Sequence, residues 1–475
     1  MCRLYDNSPI NKNDIKKAHN IVEQIRDRTL DFLEKEGIFI FPELLKEAED
    51  VTKDQKVIIS QNNELRTTNI MGFLGYGSGA SAERLVISSR FSEGETNDYL
   101  LQYLLQKVMG IPNLISLNTG TNLKESIFEI FEFIFPYYLK NALRKGLFKT
   151  YIRNEYNECN VKGAIDFARH IRVNTPFIGK IAFSQREFSY DNPLMELVRH
   201  TIEYIRSKSY GKTILNRIKD ECRIVVEATN RYQLCDRQKI IYQNQKKSVR
   251  HAYFHEYKKL QELCLLILTH QKIQFSNENN NICGVLFDGA WLWEEYINTL
   301  ISDLFHHPRN KAKNGNSDCQ WLFTDENNIK NGQIYPDFIS RKTDTIKSRV
   351  IGDAKYKRIS GIGNKDYLQM LAYMFRFDSD YGLYFFPYSK KVNSDSSQKE
   401  DELQNNKSYF LNQGDSFNNN VEKRKDPEIC LKKIGIVIPS NSVSYDDFIE
   451  NIKSSEKKFF EDVSQLCLDK KMLEF

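Results

Sequence analysis

The strongest constraint on what this chain can fold into lies in YPDFISRKTDTIKSRVIGDAKYK, residues 335–357. A Pro-Asp pair is followed by a polar turn, then by Val350-Ile351-Gly352 running into Asp353-Ala354-Lys355. The apolar segments read as adjacent strands joined by SRKTDTIKS, and the 16-residue separation of Asp337 and Asp353 suits that pairing. Lys355 stands two residues beyond Asp353 and so projects to the same face. Two carboxylates near a sheet core are costly unless something cationic sits between them. By spacing alone, a surface turn closed by a salt bridge is the commoner form of such a trio.

Three features shift the balance towards a site. The run before Asp353 is apolar rather than alternating, as in a strand buried on both faces. The helix DYLQMLAYMFRF (366–377) carries Gln369 and Tyr373 four residues apart, hence on one face. Ahead of the sheet, the otherwise apolar helix WLWEEYI supplies a third carboxylate, Glu294, with Glu295 as the alternative. Converging carboxylates form a hard-oxygen site suited to Mg²⁺, which keeps several waters of its own. Such an ion activates water and stabilises charge on a phosphoryl group, and a neighbouring lysine orients that water. The chemistry described is phosphodiester hydrolysis.

Along the chain, VIIS (57–60), NIMGFLGYG (69–77) and ERLVISSRF (83–91) read as strands, and DYLLQYLLQKVMG (98–110) as a helix capped at Gly110. A longer helical block spans 125–148, interrupted or bent at Pro136. Residues 149–190 are irregular with possible strands, and NPLMELVRHTIEYIRSK (192–208) is an amphipathic helix. NENNN (277–281) marks a boundary. The strand YGLYFFPYS (381–389), a polar insertion over 390–428, the strand KIGIVIPS (433–440) and a terminal helix (445–470) complete the pattern. The predicted division is a mixed α/β region over 1–120, a mainly helical region over 121–280 and an α/β domain over 281–475. No internal repeat is evident.

A net charge of +5 over 475 residues permits nucleic-acid contact through local patches without demanding it. The nine cysteines contain no C-x-x-C, so free thiols in a reducing cytoplasm are expected. No apolar run is long enough for a membrane span. The glycine-rich GFLGYGSGAS (72–81) lacks the Gly-Lys-Ser/Thr of a phosphate-binding loop, so no nucleotide is expected on this chain. His306-His307 reads as the polar end of a helix, and QKKSVRHAYFHEYKK (245–259) as a solvated basic face that could touch DNA.

The order helix-Glu, P-D, D-A-K, Q-x-x-x-Y resembles the PD-(D/E)xK nuclease fold in its RecB-like variant. FDGAWLWEEY, YPDFIS, IGDAKYK and YLQMLAY resemble the McrC family of McrBC-type restriction systems, and YNECNVKGAIDFARHI through VRHTIEYI resembles the LlaJI-type subunits. The resemblance implies an α+β chain with an N-terminal adaptor, a helical stalk over about 149–190 and a restriction-endonuclease-like C-terminal domain. It implies that Asp337, Asp353 and Glu294 hold Mg²⁺, with Mn²⁺ as a substitute. Lys355 would then serve the attacking water, while Gln369, Tyr373 and Lys357 support the site or touch DNA. It further implies an McrB-like AAA+ GTPase ring as hetero-oligomeric partner, double-stranded DNA as substrate, and Arg153, Arg169, Arg172 and Arg186 as partner contacts. Rival readings are a RecB-like repair nuclease acting alone and a non-catalytic scaffold.

Overall fold

The structure, a computed structural model, describes residues 2–41, 54–62, 64–76, 83–92, 98–109, 123–273, 282–308, 320–341, 349–389, 407–413, 423–424 and 428–468. The chain forms two compact units, Met1–Leu123 with Asn279–Phe475, and Lys124–Glu278. The first and last predicted segments are thus one unit rather than two domains. The physical reason is a single strand, Ile282–Asp288, which joins the N-terminal sheet.

That sheet runs Cys2–Tyr5, Glu83–Ser88, Ile70–Tyr76, Ile282–Asp288, Phe39–Phe41. Ile282–Asp288 pairs antiparallel with Ile70–Tyr76 and parallel with Phe39–Phe41, so it separates the two. Its Gly284 is required by closeness, since a Cβ there would lie 2.1 Å from the Phe73 carbonyl oxygen. Helices His19–Ile25 and Leu30–Lys35 bury Ile21, Val22, Ile25, Leu30 and Leu33 in this sheet's core. Residues 77–82, part of the glycine-rich segment, lie outside the described residues, as does Gly110.

The second sheet of the same unit runs Phe305–His306, Phe338–Ser340, Val350–Ala354, Tyr381–Ser389, Cys430–Ile438, Ser408–Phe410. The three strands Val350–Ala354, Tyr381–Ser389 and Cys430–Ile438 are mutually parallel, and the flanking pairs are antiparallel. Alternation along YGLYFFPYS gives both faces apolar cover. Tyr384 and Phe386 join the core under helix Asn364–Phe377, while Phe385 stacks edge-on against Phe459 of helix Tyr445–Leu468. Most of the predicted insertion, 390–428, lies outside the described residues.

Behind that sheet three helices meet at one carboxylate. Tyr103 of helix Tyr99–Met109 and Tyr296 of helix Gly289–Ile301 each donate to Glu456 Oε1, at 2.7 and 2.8 Å. Lys107 pairs with Glu456 Oε2 at 3.3 Å. Two phenols and an ammonium thereby satisfy one buried acid.

In the second unit, helix Leu123–Leu143 continues through Pro136 as one element. The stretch 149–190, expected as a helical stalk, is built on β-structure instead. Thr150–Glu158 pairs antiparallel with Ile181–Ser189, which also pairs with Ala164–Ile165. The period-two alternation of Ile152, Asn154 and Tyr156 with Tyr151, Arg153 and Glu155 is strand chemistry. Helix Phe167–Val173 at the hairpin's far end buries no residue, and Phe167, Ile171, Phe177 and Ile178 are all exposed there.

Helix Pro193–Arg206 is capped by Asn192, whose side chain accepts from the Leu194 and Met195 amides, and it packs on helices Arg237–Lys246 and His255–Ile273. His200 is buried on it, with its ring 4.6 Å from Tyr232. Burial, helped by the Arg237 charge, pushes the imidazole down to about 4. The folded protein therefore holds His200 neutral, and its contribution is complete above the unfolded value of about 6.5 and lost as pH falls towards 4. Replacing His200 with glutamine should flatten the loss of stability over that window, worth up to about 3 kcal/mol. Urea unfolding at pH 7 and 4.5 measures it, and parallel pH slopes for both proteins would refute the assignment.

No helix among the described residues is long and apolar enough to cross a membrane.

Candidate functional site

The antiparallel register of Phe338–Ser340 against Val350–Ala354 matches Phe338 with Gly352, and its continuation sets Asp337 beside Asp353. Asp337 Oδ2 accepts from the Ala354 amide at 2.8 Å, which fixes one carboxylate against the strand that bears the other. Gly352 belongs here because a Cβ would sit 2.6 Å from the Phe385 ring. Both aspartates are buried. Burial raises the Asp353 carboxyl, and the neighbouring Asp337 charge raises it further, against the pull of Lys355.

Lys355 Nζ lies 2.6 Å from Asp353 Oδ2 as an ion pair, and among the described residues no donor is aligned for a hydrogen bond to that oxygen. Burial lowers the Lys355 ammonium, yet the Asp353 and Asp337 charges outweigh it and hold it above the ordinary lysine value. The ammonium donates to Gln369 Oε1 at 3.1 Å, Gln369 Nε2 donates to Tyr373 Oη at 2.7 Å, and Tyr373 donates to the Tyr335 carbonyl at 3.1 Å. This relay ties the D-A-K strand, the helix and the segment before Asp337 into one frame. Lys357 turns to Asp366, at 2.7 and 2.8 Å to its two oxygens. Asp366 also accepts from the Gly363 amide at the start of helix Asn364–Phe377. Burial alone would raise the Asp366 carboxyl, but these donors hold it below the usual range.

Glu294 is buried on helix Gly289–Ile301, whose N-terminus Asp288 caps by accepting from the Ala290 and Trp291 amides. It does not join the aspartates in a three-ligand group: among the described residues no three His, Cys, Asp or Glu side chains are gathered to hold a metal. Its oxygen lies 3.7 Å from His307 Nε2, and Glu295 lies 3.6 Å from the same nitrogen. His307 Nδ1 donates to the Asp337 carbonyl at 2.8 Å, and the ring stacks on Phe338 at 5.1 Å. Burial lowers this imidazole, but Glu295, Glu294 and the Asp337 carbonyl together raise it to about 9. Sequence reasoning missed His307. Read as the polar end of a helix, His306 instead closes strand Phe305–His306, and His307 bridges the helix acids to the P-D segment. A divalent ion with waters of its own fits two converging carboxylates whose mutual repulsion it would relieve.

The strand end is also gripped from behind. Tyr356, between the two lysines, points away from them and is buried. Its hydroxyl lies 2.6 Å from Ser89 Oγ, and the Arg90 guanidinium sits 4.9 Å over its ring. Arg90 pairs with Asp6 at 2.7 Å.

On the β-hairpin of the second unit, the four predicted partner contacts separate. Arg169 is a structural clasp, donating to the Tyr156 and Phe183 carbonyls at 2.6 and 2.9 Å. Arg153 and Arg186 are directly opposed across the strands and exposed, with Arg186 over the Tyr151 ring at 5.5 Å. Arg172 is exposed near the hairpin's far end.

A family model described as "McrBC 5-methylcytosine restriction system component" matches residues 65–386. No curated protein matches the sequence. One similar solved chain belongs to the refined half-complex from the tetradecameric assembly of Thermococcus gammatolerans McrB AAA+ hexamers with bound McrC. It is 14% identical with a TM-score of 0.45, and the match covers 98% of this chain and 99% of that one. Another belongs to the Thermococcus gammatolerans McrBC complex, at 16% identity and a TM-score of 0.27, covering 66% and 89%.

Proposed function

The chain belongs to the McrBC 5-methylcytosine restriction system component family, and from that premise we propose that it is the DNA-cutting subunit of such a system. The observation that carries this reading is the buried Asp337–Asp353 pair with Lys355 in contact, at the end of a sheet and linked through Gln369 to Tyr373. A scaffold has no use for two repelling buried acids.

Mg²⁺, when bound by Asp337 and Asp353, would supply charge neutralisation at the scissile phosphate and lower the pKa of water. The Lys355 ammonium orients that water and balances charge building on the phosphoryl oxygens. Water oxygen bonds to phosphorus as it gives up a proton to solvent, the P–O ester bond breaks, and the leaving oxygen takes up a proton from solvent water. Gln369 and Tyr373 hold the ammonium in place. Glu294 acts through His307, which fixes the backbone at Asp337. The fold class proposed for this part of the chain is PD-(D/E)xK.

The partner proposed is an McrB-like AAA+ GTPase ring, met by the β-hairpin of the second unit. Two features support the hairpin as that surface. Its tip exposes Phe167, Ile171, Phe177 and Ile178, which in water favours a covering partner. The opposed Arg153 and Arg186 repel each other until an acidic surface lies over them.

Reconstitution with an McrB-like GTPase, GTP, Mg²⁺ and plasmid DNA tests the proposal. Cleavage should occur with the wild-type chain and vanish with Asp337→Asn, while both chains co-elute with the GTPase. Equal cutting by the Asp337→Asn chain would sink the nuclease reading.

A further inference from the structure

Helix Asn364–Phe377 buries Met370, Tyr373, Met374 and Phe377 on its inner side. Its outer side exposes two large apolar side chains where water favours polar groups, Leu368 at 65% and Phe375 at 88%. Beside them, Lys365, Gln369 and Arg376 stand at spacings of four and seven, so they share one stripe along the helix. Gln369 on that stripe is the residue that accepts from Lys355. A strand delivering a phosphate to Lys355 must therefore run close to this stripe.

The charges around it favour a polyanion. Among the described residues Lys365 makes no ion pair. Asp366 is turned to Lys357 and Lys355, and the other nearby acids, Asp378 at the C-cap and Asp380, lie past the helix's final residue, at the end away from Lys365. Arg376 Nε donates to the Trp321 carbonyl at 2.8 Å, which braces the helix against the hairpin Gln320–Thr324 and Lys330–Ile334. That hairpin exposes another ring, Phe323. Packing of a second copy on this face by twofold symmetry would bring the cations of one copy towards those of the other.

We propose that the outer face of helix Asn364–Phe377 is a DNA-tracking surface. Lys365 and Arg376, about 16 Å apart along the axis, take phosphates on either side of the one at Lys355. Phe375 and Leu368 press an apolar edge against the sugars and bases between those phosphates. This rests on the nuclease reading above and extends it to how the substrate is held.

The test is binding of the full chain to a short fluorescein-labelled duplex, in Ca²⁺ and over a series of salt concentrations. Lys365→Gln should reduce the slope of log affinity against log salt by about 1, as one lost phosphate contact does. Phe375→Ser should weaken binding about tenfold with the slope unchanged, because it removes an apolar contact and no charge. Neither side chain is buried, so both variants should melt like the wild type. Wild-type binding by both variants overturns the surface. So does a change in self-association by Phe375→Ser with DNA affinity intact, which would hand the face to a second copy. The two readings fail separately: an Asp353→Asn chain that still cuts DNA sinks the nuclease assignment, whereas unaltered binding by Lys365→Gln and Phe375→Ser sinks the tracking surface alone.

Discussion

Replacing Asp353 with asparagine is expected to cut DNA cleavage by the assembled system by a factor on the order of a thousand, about 4 kcal/mol of barrier. The same change should make the cation-free fold more stable at neutral pH. Burial and the Asp337 charge raise the Asp353 carboxyl to about 7, above its ordinary 3.8. A raised carboxyl favours the fold below its unfolded value, and that advantage is lost as pH rises from about 4 through 7. Asparagine carries no charge to repel Asp337, so the variant should keep its melting temperature over that rise while the wild type declines. Added Mg²⁺ should restore the wild type, by about 2.7 kcal/mol at a hundred times its dissociation constant, and leave the variant unmoved. Thermal melts at pH 5 and 8, with and without Mg²⁺, read all of these outcomes. A variant that cuts DNA, or that gains as much from Mg²⁺ as the wild type, would remove Asp353 from the site.

The second large effect lies behind the site. Glu456→Ala should cost about 2–5 kcal/mol, because it strands the buried hydroxyls of Tyr103 and Tyr296 and leaves the partly exposed Lys107 ammonium without its partner. Glu456→Gln keeps an acceptor for the phenols and gives up the charge pair, so it should cost much less. Denaturant unfolding of the two variants separates these terms. Equal, small losses would mean that the three helices do not depend on their shared carboxylate. Helix Gly289–Ile301 carries Glu294 and one of those phenols, so the alanine variant should also loosen the acid that faces His307.

The elements around the site were readable because their cues are local. VIGDA and YGLYFFPYS announce buried strands, and the four-residue spacing of Gln369 and Tyr373 announces one helix face. The sixteen-residue separation of the aspartates was enough to place them side by side, as the register of Phe338 with Gly352 does. The hidden part was non-local. Ile282–Asp288, at the start of the C-terminal segment, was not read as a strand at all, and its partners are Ile70–Tyr76 and Phe39–Phe41, some two hundred residues earlier. His307 was lost for a related reason, since its meaning comes from Glu294, Glu295 and Asp337 meeting it in space. The choice between Glu294 and Glu295 turned on a register that one sequence does not carry: Glu294 is buried, Glu295 partly open, and both reach the histidine. The hairpin over 149–190 was hard to read because Thr150–Glu158 is mostly polar and buries only Asn154, which weakens the alternation that marks a half-buried strand.

The place of Ile282–Asp288 also fixes an order of events at the ribosome. Until that strand has been synthesised, Ile70–Tyr76 and Phe39–Phe41 have no neighbour between them, and each presents an open edge. The whole of Lys124–Glu278 must emerge before the gap can close. A nascent chain halted near residue 280 would therefore carry two unpaired edges, a state prone to associate with other chains. Dividing the gene at that point would separate the first sheet from its middle strand and leave neither product with a finished core.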